Sequence, residues 1–161
     1  MNIAIVIYSE SGKSLKLAQL AADKLSAAGH QVSLTRLETS PAFDSKHNLP
    51  LDRIKFTNLP ELGKSDAVIV GGPVWAFRLC LAVRKAVLDL DGQWQGKKVL
   101  PFVTHAFPWA WLTGTSSLNS LRQLLARQGA IVLPGTVLSG SGKKDEARYQ
   151  AAAEAISRAL A

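Results

Sequence analysis

The serines of the segment YSESGKS, residues 8–14, are spaced to meet an anion. Ser9, Ser11 and Ser14 bring hydroxyl donors, and Gly12 lets the backbone approach closely. If the segment opens a helix, its free backbone amides and the positive end of the helix dipole suit one terminal phosphate monoester. The closing letters GKS also finish a nucleoside triphosphate loop, G-x-x-x-x-G-K-S/T, but here Ile7 stands where the first glycine is required. Only Ser9, Glu10 and Ser11 then separate the strand from Gly12, too few to encircle a β-phosphate. A carboxylate for magnesium is missing as well, because Asp66 lies at the entry of its strand and the exit is Gly71-Gly72. ATP is therefore disfavoured. Lys13 either adds charge to the anion or points into solvent, and Glu10 is unfavourable beside a dianion unless directed away.

The elements that must position this loop alternate along the chain. Compact apolar runs predict strands at 2–8, 31–37, 66–71, 98–104 and 130–137, and helical spacing predicts helices at 14–28, 59–64, 77–91, 115–128 and 143–160. All strands but the second carry Val and Ile on both faces, as a parallel sheet covered by helices on both faces requires. Gly29 and Gly129 follow two of the helices as stop signals. Residues 38–58, ETSPAFDSKHNLPLDRIKFTN, read as a long loop. The expectation is a single domain over 1–161: a five-stranded doubly wound α/β fold, order 2-1-3-4-5. In that order ligands bind at the carboxyl ends of the first and third strands, where the winding reverses.

Composition narrows the function. With 161 residues, 47% hydrophobic and 19% charged, the chain has the makeup of an ordinary globular domain. Its apolar runs fall well short of the roughly 18–20 residues of a membrane span. MNIAIVIYSES shows no basic leader or cleavage site, so a cytoplasmic protein is expected. A single cysteine, Cys80, excludes an internal disulfide and lies in the apolar run LCLAV, which implies a buried, inert thiol. His30 and His47 have no ligand-like spacing to His105, which argues against a metal site. The net charge of +7 comes from scattered basic pairs rather than one stripe with interleaved aromatics, which argues against nucleic acid. Neither a nucleophile elbow nor a G-x-G-x-x-G fingerprint is present, so the hydrolase and Rossmann dehydrogenase classes are set aside.

YSESGKS resembles the phosphate loop Y-S-x-T-G-N-T of the flavodoxin-like FMN-binding family, with Ser11 and Ser14 for the two threonines and Lys13 for the asparagine. VIVGGPVWAFRLCLAVRKAVLDL (68–90) resembles the family's second flavin loop, and GKKVLPFVTHAFPWAWLTGTSSL (96–118) its fourth strand and third loop. The resemblance implies a short-chain flavodoxin-like fold and bound FMN. It places the phosphate on Ser9, Glu10, Ser11, Gly12, Lys13 and Ser14. Trp75 would stack on the flavin, with Pro73, Val74, Ala76 and Phe77 shaping the loop at its N5 and O4 edge. Phe77 is equally readable as the first core residue of a helix. Thr104, His105, Ala106 and Phe107 would wrap the pyrimidine edge. His105 is also readable as a satisfied loop histidine, while Trp109 and Trp111 could cover the flavin, fill a partner's pocket or cap the sheet. No residue is singled out as catalytic, since the flavin does the chemistry. Three functions remain open: electron transfer to protein partners, an FMN-dependent NAD(P)H oxidoreductase acting on quinones or other small acceptors, and a scaffold with weak or no FMN binding. The basic charge suits NAD(P)H or acidic proteins more than the basic partners of acidic flavodoxins.

Overall fold

The computed structural model describes residues 1–42, 49–107, 110–140 and 145–161, with the backbone alone at 110–112. Its elements, in chain order, are β1 (Asn2–Ile7), α1 (Lys13–Ala27), β2 (Gln31–Arg36), β3 (Ala67–Trp75), β4 (Arg78–Leu79), α2 (Leu81–Asp89), β5 (Lys98–His105), α3 (Ala110–Arg127), β6 (Ile131–Val132), β7 (Thr136–Ser139) and α4 (Glu146–Leu160). The sheet runs β2-β1-β3-β5-β6, with β7 continuing beside β5 and β4 pairing antiparallel with the end of β3. All other pairings are parallel, with Ile3 opposite Val32 and Ala67, and Ala67 opposite Lys98. This is the doubly wound order expected from the sequence, with the winding reversed between β1 and β3.

The side-chain period of two divides the apolar strands into two cores. Ile3, Ile5, Ile7, Ile69, Leu100 and Phe102 pack on α1 and α4 through Leu17, Ala21, Leu25, Ala153 and Ile156. The alternate residues, Val6, Tyr8, Val68, Val70 and Val99, pack on α2 and α3 through Val83, Val87, Leu121 and Leu125. β2 has a neighbour on one side only, and its mixed sequence QVSLTR leaves no residue fully buried.

The sheet has seven strands rather than five. The last expected strand, 130–137, is broken into β6 and β7 and runs two residues further. Val99 faces Val132 and Phe102 faces Thr136, so two residues of β5 oppose three of its neighbour, a one-residue bulge at Leu133-Pro134-Gly135. Val99 accepts a hydrogen bond from the Leu133 amide at 2.8 Å, and Pro101, two residues on, turns its donorless nitrogen to the same neighbour. Ladder pairing cannot continue there.

Residues 59–64 form no helix, contrary to expectation. Pro60 interrupts them, and Leu62 is instead fully buried in the α2–α3 core with its amide bonded to Gln93 Oε1 at 2.7 Å. The expected helix at 77–91 starts later, because 75–80 make the hairpin into β4. Within 38–58, the described part holds a bridge between Thr39 and Phe56 and a short 3-10 turn, Leu51–Arg53. His47 lies outside the described residues.

Candidate functional site

Three loops gather at the carboxyl end of the sheet, on β1, β3 and β5. In the first, the Tyr8 amide makes its last sheet bond, to Gly71 O at 3.1 Å, and the chain turns into α1. Gly12 takes the cap position with φ 90, a left-handed conformation that costs other residues strain, and space around its missing side chain is open. The first intrahelical bond runs from the Lys16 amide to Gly12 O at 2.9 Å, so the amides of Lys13 and Ser14 stand ahead of the helical ladder. Ser9 Oγ accepts the Leu15 amide at 3.3 Å. Its carbonyl accepts Arg36 Nη2 at 2.7 Å, which fixes a guanidinium from β2 beside the loop. Lys13 Nζ reaches across to Gly140 O at 3.2 Å. Ser11 and Glu10 are exposed, but Ser14 is buried and its hydroxyl is bonded to Thr104 Oγ1 at 2.8 Å. Ser14 therefore ties the first loop to β5 from beneath rather than presenting a free hydroxyl.

The second loop extends β3 through Pro73, Val74 and Trp75 and returns through a two-residue turn. Val74 pairs with Leu79 and Trp75 with Arg78, leaving Ala76 and Phe77 at the tip with φ 44 and 65. Two positive φ values are what a tight hairpin turn demands, usually of Asn-Gly; here alanine and phenylalanine bear the strain. The half-buried Trp75 ring meets Tyr8 edge-on, centroids 5.5 Å apart. Phe77 is not a core residue of the helix. It is 62% exposed and stacks on Phe107 of the third loop, itself 41% exposed, at 5.7 Å and 16°. Cys80, just before α2, is buried, and burial pushes its thiol pKa up to about 12, which leaves it unreactive near neutrality.

The third loop begins with Thr104 and His105 on opposite faces of β5. His105 is buried under α3 with Nε2 2.9 Å from Ser139 Oγ. Burial, reinforced by the positive charge of Lys13, holds its pKa below the ordinary value. The Gly140 amide donates to both His105 O (3.2 Å) and Phe107 O (3.0 Å), binding the end of β7 to the loop. Ala106 and Phe107 are exposed, while Trp109 and the side chain of Trp111 lie outside the described residues.

The three loops thus stand together at the carboxyl end of the sheet, linked by Ser14 to Thr104, Tyr8 to Trp75 and Phe77 to Phe107. Sequence reasoning missed Arg36, Ser139 and Gly140. Arg36 carries a legible signal, a basic residue at the exit of the strand beside β1. Ser139 and Gly140 were hidden because the bulge moves the end of the last strand beyond 137.

The donor set fits a flavin mononucleotide. Open space over Gly12, helix-start amides and the cations Lys13 and Arg36 are suited to a phosphate dianion. Trp75, Phe77 and Phe107 offer aromatic surface for a flat ring a loop away. Among the described residues, no group of three or more His, Cys, Asp or Glu side chains is placed to hold a metal, and no helix is long and apolar enough to cross a membrane.

A family model described as NADPH-dependent FMN reductase matches residues 1–144. None of the curated proteins matches the sequence significantly. Among solved structures, the chain is similar to oxidised flavodoxin 2 from Bacillus cereus, with TM-score 0.70 and 21% identity over 98% of this chain and 99% of the other. It is similar to a flavodoxin, WrbA-like protein from Agrobacterium tumefaciens, with TM-score 0.70 and 14% identity over 98% and 94%. It also matches rubredoxin oxygen:oxidoreductase from Desulfovibrio gigas, with TM-score 0.66 and 21% identity, covering 99% of this chain but 36% of that one. At these identities the structural matches establish the fold.

Proposed function

The chain belongs to the NADPH-dependent FMN reductase family, flavodoxin-like in fold and FMN-binding, and from that premise we propose that it is an NADPH-dependent flavin oxidoreductase. The observation that carries this reading is the charge at the phosphate loop: Lys13 Nζ bridges to Gly140 O and Arg36 is fixed on Ser9 O, in a chain of net charge +7. Such a field attracts the polyanion NADPH and favours negative charge in the crevice. A low-potential carrier needs the reverse.

The amides of Ser11 to Ser14, with Ser9 shaping the turn, would hold the phosphate, and Lys13 and Arg36 would neutralise it, with Glu10 exposed beside them. With FMN bound, Trp75 would offer its face to the ring, the hairpin Pro73 to Phe77 would line one edge, and the backbone of Thr104 to Phe107 would line the pyrimidine side. FMN, when bound, supplies two-electron chemistry between a nicotinamide and an acceptor. Overall, NADPH, a proton and the acceptor become NADP+ and the doubly reduced acceptor. The protein's part is to orient the two reactants and keep water from the ring.

The test is anaerobic addition of NADPH to the FMN-loaded protein, with flavin absorbance followed by stopped flow. Rapid bleaching supports the enzyme. Slow bleaching, with a stable one-electron form on stepwise chemical reduction, supports an electron carrier docking a protein partner, the second reading, which the exposed Phe77–Phe107 pair favours. Colourless protein that takes up no FMN rejects both.

A further inference from the structure

The face that α3 turns to the sheet changes character along its length. Leu118, Leu121 and Leu125 are ordinary core residues, but the preceding turn presents Thr113, Gly114 and Ser117. Thr113 and Ser117 are 5% and 2% exposed, and neither hydroxyl has a hydrogen-bond partner. The contrast with the same helix's outer serines is informative. Ser116 Oγ donates to Thr113 O at 3.1 Å and Ser120 Oγ to Ser116 O at 3.0 Å, the usual refuge of a helical hydroxyl, whereas the inner pair does not use it. Between them, Gly114 makes room for an imidazole: a Cβ there would stand 2.6 Å from His105 Nε2. His105 is 4% exposed; Nε2 is bonded to Ser139 Oγ, and Nδ1 is buried without a partner.

Thr113 Oγ1, Ser117 Oγ and His105 Nδ1 are thus three buried polar atoms without partners, the first two one turn apart on the helix whose Gly114 abuts the imidazole. Buried polar groups of this kind are usually satisfied by ordered water. The arrangement also suits a histidine in either charge state. Ser139 Oγ can donate to or accept from Nε2, and water held by Thr113 and Ser117 can donate to Nδ1 or accept its proton.

We propose that His105 is a redox-linked proton acceptor, taking up a proton when the flavin above it is reduced, with Thr113 and Ser117 holding the water that pairs with Nδ1. The proposal rests on the reading that the third loop borders bound FMN. Two electrons from the reductant enter the flavin with one proton, and a second proton from solvent settles on His105, offsetting the negative charge left on the ring. Among the described residues, the charged groups near His105 are Lys13 of α1 and, through Ser139 O, Arg148 of α4 at 3.2 Å. Gly114 and Thr113 of α3, Ser139 of β7 and Phe107 bring none. Burial, and then the charge of Lys13, oppose protonation, which a negative charge arriving nearby would favour.

The experiment is a dithionite titration of the FMN-loaded protein against a reference dye across pH, combined with NMR titration of the His105 ring in both redox states. The expected result is a His105 pKa at least one unit higher after reduction and, at a pH midway between its two values, about half a proton or more extra taken up per two electrons in the native protein than in His105→Gln. Thr113→Val with Ser117→Ala should shrink that shift, and Ser139→Ala should change it while FMN stays bound. Equal proton uptake in the native and His105→Gln proteins, or a His105 titration identical in both states, overturns the proposal. If His105→Gln does not fold, the NMR shift and the Thr113/Ser117 variant decide alone. A His105 shift under dithionite without reduction by NADPH would uphold this proposal and sink the reductase reading. Failure to bind FMN sinks both.

Discussion

Gly12 and Gly29 form a matched pair for testing whether the first loop holds a phosphate. Both have left-handed backbones, φ 90 and 89, and a side chain built on either meets nothing within 4 Å. Gly12 opens α1 and Gly29 closes it, with the His30 amide bonded to Leu25 O and the Gly29 amide to Ser26 O. Alanine at either position incurs the same backbone strain, about 1–2 kcal/mol. At this chain length that lowers Tm by roughly 2–8 °C, equally for both variants. Only at Gly12 does the added methyl enter the space above the helix-start amides. Displacing a phosphate from one of them forfeits a charge-assisted hydrogen bond, about 1.5–3 kcal/mol. The FMN dissociation constant should then rise about 10- to 150-fold in Gly12→Ala and less than twofold in Gly29→Ala. Fluorescence titration of FMN and thermal melts of the two apoproteins measure both quantities. Equal FMN affinity in the two variants, with equal loss of Tm, would refute the loop assignment.

The other consequences concern stability. Thr104→Val strands the buried Ser14 hydroxyl and should cost about 1–3 kcal/mol, whereas adding Ser14→Ala restores most of it, as a double-mutant cycle in urea would show. Ala76→Asn relieves the hairpin tip and should stabilise the apoprotein by about 0.5–1 kcal/mol, read as a higher melting temperature; no change would mean that the turn is not strained. Because burial lowers the pKa of His105 in the folded state, the unfolded chain binds its proton first as pH falls. That contribution is intact above the ordinary value of 6.5 and is lost below it, so His105→Gln should flatten the acid side of the stability profile under chemical denaturation.

The parallel sheet was legible because Ile3, Ile5, Ile7 and Ile69 alternate with Ala4, Val6, Val68 and Val70, so β1 and β3 declare both buried faces. α1 was equally readable from the spacing of Leu17, Ala21 and Leu25 and the stop at Gly29. Other features depend on contacts distant in sequence. Leu62 looks like part of a helical turn, yet Gln93, far along the chain, captures its amide. The break of the last strand was legible in part, because Pro134-Gly135 lies inside 130–137, whereas the second proline at the break, Pro101, belongs to the neighbouring strand. At the site, the three loops could be listed from motifs, but the partners could not. Ser14 resembles a phosphate-binding hydroxyl and is committed to Thr104, 90 residues away. Phe77 has the type of a core residue and the place of a surface one, because the short span between Trp75 and Arg78 forces it to a hairpin tip.

Amide chemical-shift mapping of the 15N-labelled apoprotein during addition of FMN tests the central assignment most directly. The largest changes are expected at residues 9–14, at 74–77 and at 104–107, with Arg36 and Gly140 following and the far ends of the strands unmoved. Saturable changes confined to another surface, or none at all at FMN concentrations well above the protein, would contradict it.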